Sequence, residues 1–204
     1  MGAPGGGKGT ISKYLQRDYK FNHVSTGDML RAHIRDETAL GKQVKATLAS
    51  GGLVSDELVL DMVAEEVAGK ENLLFDGFPR TLEQAKALGK IVGLDVVIDL
   101  RVPHATIVER ISNRWVHAPS GRVYAYDFNP PKVEGLDDET SEPLTQRDDD
   151  KADVVWSRLE NYENMVGPLT DFYAEQGILK SFSGTESKVI YKTIVEELGS
   201  ELGH

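Results

Sequence analysis

The sequence contains no cysteine and no long hydrophobic run, and each absence excludes a kind of structure. Without cysteine the chain forms no disulfide and no zinc site with thiolate ligands, which suits a reducing compartment. No apolar run approaches the roughly 20 residues that a membrane helix needs. Hydrophobic residues make up 40% of the 204 residues and charged residues 27%, so the composition is that of an ordinary globular protein with one sizeable core.

Surplus positive charge is also absent, because the 33 aspartate and glutamate residues outnumber the 23 lysine and arginine residues, which gives a net charge of −10. Nonspecific binding to nucleic acid or to anionic lipid depends on such a surplus. We therefore expect neither a nucleic-acid nor a membrane partner, and any phosphate must be held by a local cluster of cations. No secretory signal or basic transit peptide is visible before the glycine-rich motif that starts at Gly2.

Apolar periodicity predicts short strands that alternate with helices, the pattern of an α/β protein whose parallel sheet is flanked by helices. The predicted strands are 21–25, 73–76, 95–102 and 178–183. The predicted helices are 12–20, 27–36, 39–50, 56–68, 82–92, 104–114, 154–176 and 187–198. Between 116 and 151, turn residues and alternating apolar residues predict a small β-rich insert. The acidic run 148–150 is interpreted as a solvated turn before a helix.

The segment from Gly2 to Thr10 satisfies the pattern G-x-x-x-x-G-K, with Gly9 in place of the usual serine or threonine. Glycines let successive backbone N–H groups point at an anion, and the amino terminus of the following helix adds partial positive charge. Lys8 is expected to bridge the outer phosphates of a bound nucleotide. The residues predicted to bind its phosphates are Gly5, Gly6, Gly7, Lys8, Gly9 and Thr10.

A phosphate loop of this kind follows a buried strand, yet only Met1 precedes Gly2. We therefore expect the first strand of the sheet to be missing. Either the sequence is incomplete at this end or another element fills the centre of the sheet, and the first is the preferred interpretation.

Four further segments carry a resemblance to a known family: 25–31 (STGDMLR), 52–57 (GLVSDE), 76–81 (DGFPRT) and the insert. With the phosphate loop, they resemble the long-lid form of the adenylate kinase family over nearly the whole chain. The resemblance implies a P-loop NTPase-type parallel sheet with a core of residues 1–24, 55–115 and 152–204. It also implies a helical AMP-binding insert, residues 25–54, and a lid segment, residues 116–151.

The resemblance implies an AMP site formed by Thr26, Arg31, Gly52, Leu53, Val54, Gly77, Phe78, Pro79, Arg80, Gln84, Arg147 and Arg158. Chemistry agrees with this assignment, because Arg31 and Arg80 are permanent planar cations that offer paired donors to phosphate. The amide of Gln84 both donates and accepts, which matches an adenine edge.

The resemblance places the donor nucleotide against the phosphate loop and under the lid segment, held there by Arg110, Arg114, Val123, Tyr124 and Thr185. The catalytic cations that it implies are Lys8, Arg80, Arg114, Arg147 and Arg158. Mg²⁺ is expected to arrive with the triphosphate, without a direct protein ligand. Asp76 ends an apolar strand, where an uncompensated carboxylate is costly, and the resemblance places it beside Lys8 and a hydrated Mg²⁺.

Lids of some relatives bind zinc through cysteines, and the matching positions here are His117, Ser120, Asp137 and Thr140. Only two of these four are good zinc ligands. We therefore expect the four side chains to form hydrogen bonds with one another and to hold no zinc.

The segments 114–117 (RWVH) and 181–186 (SFSGTE) look more like the mitochondrial GTP:AMP phosphotransferase branch than like ATP-using enzymes. That resemblance implies transfer from GTP or ITP to AMP, giving GDP and ADP, for purine nucleotide homeostasis. It also implies the mitochondrial matrix, and a monomer is expected. ATP as donor, a cytoplasmic location and a catalytically impaired nucleotide-binding protein stay open as alternatives. A general GTPase is disfavoured because no N-K-x-D base-recognition segment is found.

Overall fold

A computed structural model describes residues 1–50, 52–126 and 128–203. The predicted AMP-binding insert and lid segment include Gly51 and Asp127, which lie outside the described residues. In chain order the elements are α1 (Lys8–Tyr19), β1 (Asn22–Ser25), α2 (Thr26–Arg35), α3 (Ala39–Ala49), α4 (Asp56–Val67), β2 (Leu73–Asp76), α5 (Leu82–Ile91), β3 (Val97–Arg101), α6 (His104–Ser112), β4 (Arg114–His117), β5 (Arg122–Ala125), a 3₁₀ turn (Asp148–Asp150), α7 (Ala152–Glu175), β6 (Leu179–Ser183) and α8 (Ser187–Leu202). The predicted α/β class is confirmed.

The parallel strands form two pairs. β1 lies beside β2, with Val24 opposite Phe75, and β3 lies beside β6, with Leu100 opposite Phe182. All four strands are short. β2 and β3 are rich in apolar side chains, as expected where helices cover both faces of a parallel sheet, whereas Val24 is the only apolar residue of β1.

A gap separates the two pairs, since β2 and β3 do not pair with each other in the described part of the chain. Met1 and Gly2 lie beside β3, where the Leu100 N–H donates to the Met1 carbonyl at 3.1 Å. A cavity of about 430 Å³, lined by residues of β2 and β3 and by Met1, occupies the space between. The gap that the sequence predicts in front of the phosphate loop is therefore present.

Apolar clusters on both faces hold the helices against the strands. One contains Val24, Val63 and Leu88, which come from β1, α4 and α5. Another joins Leu15 of α1 to Ile194 of α8. Burying such side chains stabilises by about 1.5–3 kcal/mol each, so these clusters fix the helices that carry the site.

Several helix ends differ from the prediction, and two of these differences lie next to the site. α1 begins at Lys8 rather than at residue 12 because Gly7, in a left-handed conformation with φ 84°, serves as its N-cap. α6 ends at Ser112, and Arg114 instead begins β4, which pairs antiparallel with β5. The lid segment thus contains strands, as predicted, and β5 includes Val123 and Tyr124. Within the described parts of the chain, no helix combines the length and apolar character that crossing a bilayer requires.

Candidate active site

The phosphate loop is shaped by glycines that admit no side chain. A Cβ atom on Gly5 would lie 2.7 Å from Ile111 Cγ1, and one on Gly7 would lie 2.6 Å from Ser187 Oγ. Both residues also have positive φ, 75° and 84°. The first turn of α1 carries no acidic residue, so the partial positive charge of its amino terminus is left for an anion.

Lys8 lies at the amino end of α1 and is held inside the loop. Its Nζ donates to the carbonyls of Gly2 and Ala3, each at 2.8 Å. Burial lowers the pKa of Lys8 to about 8, and Asp76 partly opposes this shift. The ammonium is therefore short of carboxylate partners, as expected of a group that binds phosphate.

Asp76 closes β2 and faces the same loop. Its Oδ2 lies 3.6 Å from where a Cβ atom of Gly9 would stand, and 3.7 Å from His23 Nε2. Burial opposes ionisation of the Asp76 carboxyl, but His23 and Lys8 outweigh it and keep its pKa below the usual value. An ionised carboxylate therefore lies next to the loop.

A cleft opens between α2, the start of α4 and the loop after β2. Its lining residues are Thr26, Gly27, Leu30, Arg31, Leu48, Gly52, Leu53, Val54, Val59, Gly77, Phe78, Arg80, Gln84, Asp149 and Arg158. The structure thus brings together residues that the sequence analysis took from four separate segments. Of the residues assigned to AMP, Pro79 and Arg147 are not among those that line the cleft.

Backbone carbonyls position the polar groups on one wall of this cleft. Thr26 Oγ1 donates to the Gly77 carbonyl at 3.1 Å, and Arg80 Nε donates to the same oxygen at 2.6 Å. Arg31 pairs with Asp28 one helical turn away. Arg80 makes no salt bridge within the described residues. Its guanidinium is therefore oriented without being neutralised.

Gln84 forms the buried end of the cleft, with 2% of its surface exposed. Its Oε1 accepts from the Arg80 backbone N–H at 2.7 Å, and its Nε2 donates to Asp56 Oδ1 at 2.7 Å. The sequence analysis missed Asp56, because an acidic residue in the first turn of a helix is ordinarily explained by the helix dipole alone.

Arginines crowd together beside the cleft. Burial, followed by the charges of Arg31 and Arg114, lowers the pKa of Arg147 to about 10. The pKa of Arg80 is lowered by desolvation and then by Arg158 and Arg31. Mutual repulsion among cations in a protein with a net charge of −10 indicates a site built for a polyanion.

Two of these arginines are paired with the acidic run. Arg114 Nε donates to Asp150 Oδ2 at 2.8 Å, and Arg158 Nη1 lies 2.8 Å from Asp149 Oδ2. The run does form a turn before a helix, but Asp150 is buried, with 7% exposed. The interpretation of this run as solvated is therefore wrong for Asp150.

Four of the residues assigned to the donor nucleotide lie in two separate places. Arg110 donates to the Thr185 carbonyl, although the two are 75 residues apart in the chain. Val123 and Tyr124 lie on β5 in the lid segment. The Tyr124 side chain is buried there and donates to Asp137 at 2.9 Å. The interior of the lid segment therefore holds the Tyr124 side chain, and its place near a donor base stays a prediction.

The four positions that match zinc ligands in relatives form a hydrogen-bonded group, as predicted. His117 contacts Ser120 Oγ at 2.7 Å and Thr140 Oγ1 at 3.3 Å, and Thr140 donates to Asp137 at 3.0 Å. Arg122 donates to both oxygens of Asp137 and, against the effect of burial, lowers the pKa of this carboxyl far below its usual value. Among the described residues, no group of three or more histidine, aspartate or glutamate side chains is arranged to hold a metal.

Comparison with known proteins agrees with this geometry. The family model of adenylate kinase matches residues 1–178. A mitochondrial GTP:AMP phosphotransferase of Drosophila melanogaster is 46% identical over 193 residues, covering 94% of this chain and 89% of the relative. One of Saccharomyces cerevisiae is 42% identical over 215 residues, covering 100% of this chain and 92% of the relative. The chain belongs to the adenylate kinase family.

Proposed function

We propose that the protein transfers the γ-phosphoryl group of GTP or ITP to AMP, giving GDP and ADP. One observation carries the proposal. The protein combines a glycine-rich phosphate loop with a cleft beside which arginines repel one another. The names of the relatives, GTP:AMP phosphotransferase, support GTP as the donor and AMP as the acceptor. Such a reaction serves the balance of purine nucleotides.

AMP occupies the cleft in this proposal. Arg31 and Arg80 bind its phosphate, since planar guanidinium groups offer paired donors to phosphate oxygens. Gln84 recognises the adenine edge. The other assigned residues, which shape the cleft or adjoin it, are Thr26, Gly52, Leu53, Val54, Gly77, Phe78 and Pro79.

The triphosphate lies on the loop from Gly5 to Thr10, with Lys8 at its outer phosphates. Arg110 and Thr185 come together on the donor side, and Val123 approaches from the lid segment. Mg²⁺ enters as part of the substrate, where it neutralises charge on the triphosphate. The ionised Asp76 carboxylate is suited to hold the water around that ion, because hydrated Mg²⁺ prefers oxygen partners.

In the transfer step, an oxygen of the AMP phosphate bonds to the γ-phosphorus while the bond from that phosphorus to the β–γ bridging oxygen breaks. The departing GDP takes the electron pair. Little covalent help is needed, and the protein contributes alignment, charge neutralisation and exclusion of water. Lys8 and four arginines supply the charge: Arg80, Arg114, Arg147 and Arg158. No side chain acts as a nucleophile.

A coupled assay tests the proposal. Initial rates of ADP formation are measured with GTP, ITP and ATP at fixed AMP and Mg²⁺. We expect GTP and ITP to be used with higher kcat/KM than ATP. A preference for ATP would identify an ATP:AMP phosphotransferase, and binding of nucleotides without ADP formation would leave only a nucleotide-binding protein.

Location and assembly follow the same reasoning. Both relatives carry the word mitochondrial in their names, which supports the mitochondrial matrix for this protein. We further propose a monomer, which gel filtration with light scattering tests. We also propose that the lid segment holds no zinc. Metal analysis tests this proposal, and stoichiometric, tightly held zinc would contradict it.

A further inference from the structure

The amide of Gln84 is held by two partners that each play a single hydrogen-bonding role. The backbone N–H of Arg80 only donates, and it meets Oε1 at 2.7 Å. The Asp56 carboxylate, when ionised, only accepts, and it meets Nε2 at 2.7 Å. Both contacts therefore require the same orientation of the amide. A flipped Gln84 would place its oxygen against the carboxylate and its NH₂ against the N–H.

Asp56 is itself fixed by the start of α5. Thr81 Oγ1 donates to Asp56 Oδ2 at 3.0 Å and accepts from the Gln84 backbone N–H at 3.1 Å. The carboxylate thus has one oxygen for Thr81 and the other for Gln84. Asp56 at the start of α4 therefore hydrogen-bonds to Thr81 and Gln84 at the start of α5, although Asp56 and Gln84 are 28 residues apart in the chain.

This orientation matters for the choice of purine. The second N–H of Nε2 and the second lone pair of Oε1 are left for a ligand in the cleft that Gln84 lines. Adenine presents the N6 donor beside the N1 acceptor, whereas guanine presents the O6 acceptor beside the N1 donor. A Gln84 amide with a fixed orientation therefore matches one of these purines and opposes the other.

We propose that Asp56 is a positioning residue that selects adenine over 6-oxopurines at the acceptor site by fixing the Gln84 amide. The inference rests on the proposed function, because it takes the cleft to be the AMP site. Buried polar groups that find no partner discriminate strongly against a wrong ligand. The selectivity arises at Gln84, and Asp56 acts through it.

Asp56→Asn tests the proposal with little change of shape. An asparagine amide both donates and accepts, so the contact at residue 56 no longer requires one orientation of Gln84, and only the Arg80 N–H still favours it. We expect the ratio of kcat/KM for AMP to that for GMP to fall about tenfold or more. We expect the KM of the triphosphate donor to stay unchanged. Inhibition of AMP phosphorylation by GMP gives the same comparison if GMP turns over too slowly to measure.

Glu57→Gln is the matched control, because Glu57 is the next residue in the same helical turn and is exposed. It removes the same helix-dipole interaction without touching Gln84. We expect this variant to keep the wild-type ratio. If Asp56→Asn keeps that ratio as well, while both variants lose similar thermal stability, Asp56 only stabilises the helix start and the inference is wrong.

Failure of the inference is distinguishable from failure of the proposed function. A wild-type protein that forms no ADP from AMP with GTP, ITP or ATP overturns the function itself. An active wild-type protein whose purine selectivity is unaffected by Asp56→Asn overturns only the role of Asp56. Asp56→Ala gives a second test, since it leaves the Arg80 N–H as the one restraint on the amide that the structure describes and is expected to raise the KM of AMP as well.

Discussion

The acceptor cleft and the donor side hold their cations in different ways. In the cleft, Arg80 is oriented by a backbone carbonyl and keeps its full charge. On the donor side, Arg114 is paired with the Asp150 carboxylate, and Arg158, at the edge of the cleft, is paired with Asp149. Arg80 is therefore prepared for an anion, whereas Arg114 and Arg158 must exchange carboxylates for phosphates. The carboxylates limit repulsion among the arginines until a nucleotide takes their place.

The largest expected effect comes from removing Arg80, which has no salt bridge in the described part of the chain. Arg80→Ala is expected to lower kcat about a thousandfold, because preorganised charge at the transferring phosphoryl group is worth that much. Its melting temperature is expected to stay close to that of the wild type. Steady-state rates and calorimetry measure the two quantities. Arg17→Ala, a change on the exposed face of α1, is the control, and equal losses in both variants would contradict the role of Arg80.

Breaking a donor-side pair is expected to affect stability more than the chemical step. Asp150→Asn leaves the Arg114 charge without its buried partner, and removing one member of a buried pair costs about 3 kcal/mol. Urea denaturation measures this loss. A saturating triphosphate is expected to restore more stability to the variant than to the wild type, because phosphate replaces the missing carboxylate. Equal gains would show that Arg114 does not reach the triphosphate.

A smaller effect is expected from pH acting on Lys8, whose pKa is lowered by burial to about 8. Donor binding is expected to weaken as pH rises above 8, approaching about tenfold per pH unit, because neutral lysine loses its attraction for phosphate. Calorimetric titration between pH 7 and 9.5 measures this dependence. Lys8→Arg is the control, since its charge persists throughout that range.

The lowered pKa of Lys8 affects folding stability in the opposite direction: donor binding weakens as pH rises, whereas stability increases. The folded pKa of Lys8, about 8, lies below the ordinary lysine value of 10.5, so the folded state binds fewer protons than the unfolded state between pH 8 and 10.5. The contribution of Lys8 to stability therefore rises with pH across that window. A fall in this contribution, measured as the difference between wild type and Lys8→Arg, would contradict the assigned pKa.

Local sequence patterns were sufficient to predict the elements of the core. The strand 73–76 was predicted with its exact bounds, because an apolar run ends there at a charged residue. The start of α1 at Lys8 was not predicted, because the glycines on either side of Lys8 have low helix propensity. The gap in the sheet beside Met1 was predictable, since a phosphate loop of this kind normally follows a buried strand.

The pairings within the site could not be predicted from sequence alone. Arg114 and Asp150 are 36 residues apart, and Asp56 and Gln84 are 28 apart. Periodicity carries no information about such distances. Each carboxylate, taken singly, is best explained as a solvated or helix-capping group. The resemblance to adenylate kinases supplied the residues of the cleft, whereas the contacts that orient and neutralise them required the structure.

Titration with a bisubstrate dinucleotide, guanosine and adenosine joined through five phosphates, tests most directly whether two nucleotides meet in one cationic pocket. We predict one molecule bound per chain, more tightly than GTP or AMP alone. This binding is expected to weaken steeply with added salt and to be lost in a variant that lacks both Lys8 and Arg80. No binding, or affinity no greater than that of GTP alone, would contradict the shared pocket.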